Sequence, residues 1–264
     1  MAVTGHWIRE DNPELVSATL GCVEFWGSHT AKRLAEKVTD VMEQYGIQDT
    51  AVALTTDTAA NIKKAGRKLL RPELHACSCH VLQLSALKIL NEPSVKATFA
   101  KHNRLTGHLH PSSSSKEKLI TLQRYATAAE EPVKVIPTHC ATRWNSNDEQ
   151  GRVILEYKYC VQQLYDTLSS EGKLNITYTE ADWANTGAVV ELLRLFCEAT
   201  EIMQGDSFIT NISMMPMLAS NLHVFCVTKA SDVELPQHLR DVEDRFFPPT
   251  HCTMIAAVCD PRVK

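Results

Sequence analysis

The chain has no excess of basic charge. Its 27 Lys and Arg are set against 31 Asp and Glu, for a formal net charge of -4. A dedicated nucleic-acid module usually carries a basic footprint, so any DNA contact here has to be local. Long apolar runs are also missing. None approaches the ~18 to 20 residues that a membrane helix needs, and the opening "MAVTGHWIRED" lacks the apolar core of a signal peptide. No membrane partner is expected. The 9 cysteines are odd in number, scattered between Cys22 and Cys259, and contain no Cys-x-x-Cys pair. That argues against a secreted disulfide scaffold and against zinc fingers of ordinary ligand spacing. Reduced thiols in the cytosol or nucleus are the better reading. No internal repeat is visible.

What is present is ordinary globular composition, 44% hydrophobic and 22% charged over 264 residues, enough for one large domain or two small ones. Residues 14 to 25, "ELVSATLGCVEF", alternate Val16, Ala18, Leu20 and Cys22 onto one face and read as a strand. "SHTAKRLAEKVTDVMEQYG" follows as an amphipathic helix, with Ala31, Leu34, Val38, Val41 and Tyr45 at helical steps. Ser28 or Thr30 can cap its start and Gly46 can end it. "DTAVALTTD" is apolar on both faces, the pattern of a central parallel strand covered by helices. "AANIKKAGRKLL" returns to helix, and "LHACSCHVLQLSALKIL" begins extended before becoming helical. The order strand, helix, strand, helix, short strand, helix predicts a mixed or parallel sheet flanked by helices.

The polar "TGHLHPSSSSKEK" reads as a loop or helix start, and "EEPVKVIPTHCATRWNSNDEQ" has little helical period. From Val153 onwards the pattern is mainly helical, most clearly in "ADWANTGAVVELLRLFCEATEIM" and "MMPMLASNLHVFCV". A boundary near 150 separates an α/β first half from a helical second half.

Three short motifs carry chemistry. Asp57 ends an apolar strand and precedes a helix. Ligands of open α/β sheets gather at strand carboxyl ends, so Asp57 can hold a divalent metal there. It can equally cap the following helix, and the local pattern favours the cap. "HACSCH" places Cys77, Cys79 and His80 beside His75. These types bind zinc, but the spacing is too tight for all four to face one tetrahedral ion, so structural cysteines in an apolar turn are favoured. In "TRWNS", Arg143 and Trp144 offer a cation beside a stacking plane, suited to phosphate contact and base stacking. A tryptophan wedged into the core is the competing reading.

Taken in order, "TTDTAANI", Cys77-x-x-His80 followed by "VLQLSALKIL", and "TRWNS" resemble the hAT superfamily of transposases, most closely its domesticated relatives with a BED-type zinc finger. "WIREDNPELVSATLGCVEFWGSHTAKRLAEKVTDVMEQYGI" resembles the opening strands and helix of that family's ribonuclease H-like domain. "AAVCDPRVK" resembles its "LDPRFK"-type segment. The resemblance implies an incomplete ribonuclease H-like mixed sheet with flanking helices over residues 1–150. A mainly helical inserted domain, truncated at its C-terminal end, is implied over 151–264.

By that resemblance Asp57 matches the second carboxylate of an Asp-Asp-Glu triad and would bind the metal. Cys77 and His80 match a pair near the active site. Trp144 matches a tryptophan that stabilises a flipped base, with Arg143 as its DNA-contacting neighbour. The first aspartate would lie on a strand before "GHWIRED" and the glutamate beyond Lys264. The resemblance therefore implies a transposase-derived nuclear protein fragment, catalytically silent, with a DNA-associated or transcription-regulatory role in its full-length form. No cofactor is expected for this chain, and Mg²⁺ only if the full-length protein is an active transposase. Self-association is expected, and a small-molecule substrate is not. The alternative is a truncated piece of an active transposase that cuts and joins DNA. An unrelated α/β domain is a third reading.

Overall fold

A computed structural model describes residues 1–204, apart from Pro13, 127–131 and 141–143. Arg143, the run "MMPMLASNLHVFCV" and the "AAVCDPRVK" segment lie outside the described residues. The chain divides into two compact units, the first built on Met1–Leu82 and the second on Gln83–Ala199. The boundary read from the sequence lies instead near 150.

The first unit opens with a hairpin of β1 (Ala2–Ile8) and β2 (Leu15–Cys22), paired antiparallel from Ala2↔Cys22 to Ile8↔Leu15. Local pattern did not mark β1. Its Ala, Thr and Gly residues blur the apolar alternation, and cross-strand pairing with β2 supplies what the local pattern lacks. Helix α1 (Ala31–Gln44) follows, with Thr30 as its N-cap: the Thr30 hydroxyl accepts the Arg33 N–H at 3.4 Å. Then come β3 (Ala53–Thr56), α2 (Ala60–Leu69), β4 (Glu73–Ala76) and α3 (Ser78–Leu90). The alternation of strand and helix is the one the periodicity predicts, and β3 and β4 are parallel, as a strand–helix–strand crossover requires.

Helices α1 and α2 pack through Ala31, Ala35 and Ala65, with Leu34, Ile62 and Leu70 at the margin. Small residues bring elements close here. A Cβ on Gly66 of α2 would stand 2.7 Å from Leu74 of β4. Expected to be covered on both faces, β3 is not. Val52 is 80% exposed, and Ala53 and Thr55 are exposed as well. The cause is topological. Among the described residues the strands form two separate two-stranded ladders, β1–β2 and β3–β4, so β3 has a neighbour along one edge only.

The second unit is helical: α4 (Pro93–Leu109), α5 (Ser113–Ala126), α6 (Asn145–Glu156), α7 (Lys158–Ser170) and α8 (Glu180–Met203). Pro93 opens α4, where its missing N–H costs nothing. The polar stretch around Pro111 is the break between α4 and α5, and Ser112 Oγ accepts the Ser115 N–H at 3.2 Å to start the second helix. Leu105, Ile154, Val161, Leu164 and Leu168 are fully enclosed at its centre. Beside them lies a buried polar group. His102 Nδ1 is 2.8 Å from the Tyr178 hydroxyl and its Nε2 is 2.9 Å from Thr186 Oγ1. Asp182 takes hydrogen bonds from Lys101 (2.6 Å), Thr98 (3.0 Å) and the Thr179 N–H (2.7 Å). These bonds satisfy groups that would otherwise be costly to bury. No helix among the described residues is long and apolar enough to cross a membrane.

Candidate functional site

The carboxyl ends of the parallel pair β3 and β4 bring two of the sequence motifs to one end of the first unit. Thr56 stands opposite Ala76, and the Cys77 N–H donates to the Thr56 carbonyl at 2.6 Å. Asp57 and Cys77 are therefore the next residues along neighbouring strands. Asp57 is exposed, and its Oδ1 accepts the Ala59 N–H at 3.0 Å, just before α2. Its carboxylate closes a short turn onto the Ala59 N–H two residues on; the N-cap of α2 is Ala59, without a side-chain cap bond, so Asp57 is not the helix cap itself. The β2–α1 loop reaches the same helix start, because Asn61 Nδ2 donates to the His29 carbonyl at 2.7 Å.

Cys77 is half-buried just before α3, its carbonyl accepting the Val81 N–H at 3.0 Å. His80 is half-buried in the first turn of that helix. Burial, with the neighbouring Cys77 adding to it, pushes the Cys79 thiol above its ordinary range, which disfavours the thiolate that metal binding needs. His75 is buried on β4, with Nε2 4.0 Å from Glu73 Oε1. Among the described residues no group of three His, Cys, Asp or Glu is arranged to hold a metal ion. Asp57, with one oxygen already bonded to the backbone, does not by itself fit a divalent ion that acts on phosphates.

Trp144 belongs to the second unit and is 2% exposed. It precedes α6, and its carbonyl accepts the Asn147 N–H at 2.9 Å. Its ring meets Phe196 of α8 edge-on, with centroids 6.2 Å apart. The exposed stacking plane that a base would need is not found, and the indole packs as a core residue does. Arg143 is outside the described residues, so the pair is not seen together.

The surroundings of Trp144 hold residues that the sequence reading passed over. The polar face of α6 is the buried one: Asn147, Asp148 and Gln150 are enclosed with Gly151. Asp148 Oδ2 lies 2.6 Å from Arg152 and accepts from Cys197 Sγ at 3.5 Å. Burial pushes its carboxyl above the usual range, with Arg152 opposing that shift. Gln150 Nε2 donates to the Pro137 carbonyl at 3.1 Å and to Thr106 Oγ1 at 3.3 Å. The signal was available: Gly151 on the same face as Asn147 and Asp148 marks a close approach, and a Cβ there would stand 2.6 Å from Val190. Polar residues hid it, because hydrophobic periodicity scores such a face as solvent.

No family model matches the chain. It is 24% identical over 248 residues to a protein of Talaromyces stipitatus (strain ATCC 10500 / CBS 375.48 / QM 6759 / NRRL 1006) named "Putative transcriptional regulator tpeD". That match covers 80% of this chain and 28% of the fungal protein. It is 25% identical over 231 residues to a Zea mays protein named "Putative AC transposase", covering 80% of this chain and 27% of the maize protein. The chain thus spans little more than a quarter of the length of these curated relatives. Sequence similarity links it, distantly, to a protein named as a transposase and to one named as a transcriptional regulator.

Proposed function

We propose that this chain is part of a transposase-derived nuclear protein, of the hAT type related to BED-finger proteins, with a DNA-associated regulatory role and no DNA-cutting activity of its own. The α/β part of the chain would carry part of a ribonuclease H-like core, and the helical part would belong to the inserted domain. The observation that carries this reading is Asp57. It stands at the carboxyl end of β3, the place the resemblance gives to a metal-binding carboxylate, yet among the described residues it belongs to no group of three His, Cys, Asp or Glu that could hold a metal, and its Oδ1 accepts the Ala59 N–H. In-line phosphoryl displacement by paired metals needs ligands for both ions. The distant similarity to a transposase-named and a regulator-named protein supports the same reading.

The test is a nicking and strand-transfer assay on the purified chain with Mg²⁺ or Mn²⁺. No cleavage is expected. Metal-dependent nicking that disappears in Asp57→Ala would instead support the second reading, a piece of an active transposase, which the maize similarity favours. A full-length transcript that encodes two further carboxylates on the same sheet would do so too.

A further inference from the structure

The chain as a whole is net acidic, yet from Thr58 to Pro72 it carries Lys63, Lys64, Arg67, Lys68 and Arg71 and no Asp or Glu. Arg71 pairs with Asp49. Lys63, Lys64, Arg67 and Lys68 form no ion pair with any described residue. Two of the three acids on the neighbouring α1 are engaged on their own helix, Glu36 with Lys32 and Asp40 with Lys37. Ala65 and Gly66 face inward, leaving Lys64, Arg67 and Lys68 exposed on the outer side of α2. An ordinary solvated helix face interleaves charges of both signs, as Arg194 and Glu198 do on α8. The outer face of α2 carries one sign only.

A second feature lies against the same helix. The loop from Val23 to Thr30 is tied to the first turn of α2 by the Asn61–His29 bond. On that loop Trp26 is 74% exposed. The loop is held in shape. Phe25 meets His29 edge-on at 4.5 Å, the Arg33 guanidinium lies 5.1 Å from the Phe25 centroid, and Arg33 donates to the Ser28 carbonyl at 3.2 Å. Solubility accounts for cations but not for a bare indole on a loop tied to the start of the same helix. Cations that track a backbone, with an exposed aromatic plane for a base, are the two components of a single-strand binding surface.

We propose that the outer face of α2 and the Trp26 loop form a docking surface for single-stranded DNA, with phosphates on Lys64, Arg67 and Lys68 and an unpaired base stacked on Trp26. This rests on the DNA-associated reading above and gives it a location. A single strand fits better than a duplex, because the indole needs a base whose face is free. An acidic peptide would use the cations and leave Trp26 unused.

The test is fluorescence anisotropy of a labelled oligothymidylate with the full chain across a salt series, with duplex DNA, oligouridylate and polyglutamate as competitors. Replacing Lys64→Gln, Arg67→Gln and Lys68→Gln together is expected to lower the log affinity–log salt slope by about 2, at roughly 0.7 per neutralised contact on a single strand. Trp26→Ala is expected to weaken binding about tenfold, with Trp26→Phe recovering most of it. Circular dichroism should not change, since these side chains are exposed. If the triple variant binds DNA with the wild-type affinity and slope, the surface is wrong and the DNA-associated reading survives. If the wild-type chain binds no DNA, both fail. Tighter binding of duplex, or polyglutamate binding that is as tight and indifferent to Trp26→Ala, would also overturn the proposal. Preference for oligouridylate would reassign the ligand to RNA and overturn the DNA assignment.

Discussion

The two units of this chain are built to different standards of enclosure. The helical unit has a continuous core from Leu105 to Trp183, in which Ile154, Val161, Leu164 and Leu168 are fully buried and Tyr178 stacks on Trp183 at 4.9 Å. The α/β unit has a small cluster of Ala31, Ala35 and Ala65 between its helices, and it leaves Trp7, Ile8, Trp26, Val52 and Leu69 exposed. The difference follows from how each kind of element closes. Helices satisfy their own backbone and need only side-chain packing. A strand satisfies its backbone through a neighbour, and among the described residues β3 has one neighbour where its apolar sequence suits two. Dense packing in one unit and an open strand edge in the other predict unequal local stability, and each unit can be probed separately.

The largest expected effect is in the helical core. Leu164→Ala removes a fully buried side chain and should cost about 2 to 5 kcal/mol, whereas Leu34→Ala, half-buried at the margin of the α1–α2 cluster, should cost clearly less. Urea unfolding of both variants checks the ranking, and equal losses would erase the contrast between the units. Amide exchange tests the same point without mutation: protection should be high through Val161–Leu168 and low along Ala53–Thr56.

Acid should loosen the helical unit next. Burial, opposed by nearby Asp182 and assisted by Lys101, holds His102 down at about 4, below its ordinary 6.5. The folded state thus keeps His102 neutral while the unfolded chain takes up a proton. The stability this provides is complete above about pH 6.5 and is lost as pH falls towards 4, about 3 kcal/mol in all. Asp182 acts lower on the scale. Burial pushes it up, but hydrogen bonds from Lys101, Thr179 and Thr98 overcome that and hold it at about 2. Its contribution is present above the ordinary carboxylate value and is lost as pH falls through 2. Near-UV circular dichroism against urea at pH 7 and 5 measures the His102 part, and a midpoint that does not move over that interval would exclude it.

Smaller effects test close approach and the open edge. Gly151→Ala would place its Cβ 2.6 Å from Val190, so α6 must shift or Val190 must turn, at about 1 to 3 kcal/mol. Thermal melts should show Gly151→Ala below wild type. Val52→Lys, at an exposed position just before β3, whose second edge has no strand partner among the described residues, should change stability by less than about 0.5 kcal/mol. Its effect should appear in association. Uncharged edges invite pairing and lysine blocks it, so sedimentation velocity should show wild-type chains self-associating more than the variant.

Much of this architecture is legible one element at a time. The helical spacing of Ala31, Leu34, Val38 and Val41 defines α1, and the Asp57 carboxylate at the head of α2 follows from a single aspartate before a helix. The candidate site was less legible. Asp57 and Cys77 were found as separate motifs, and their placement on adjacent strand ends comes from the β3–β4 register. The buried polar face of α6 was invisible to a method that equates polar with outside. So was the loss of the Trp144 stacking plane to Phe196, on a helix some fifty positions further along the chain.

By itself, then, the sequence determined the periodic elements and their order, because 3.6-residue and two-residue repeats are local properties of the chain. The single-signed charge of α2 is likewise written in consecutive residues. Tertiary structure alone decided which of those faces are covered. It buried Asn147, Asp148 and Gln150 while leaving Val52 and Trp26 in solvent. Burial depends on what another, distant element brings to a surface, and apolar character sets only how favourable it is for that surface to be covered.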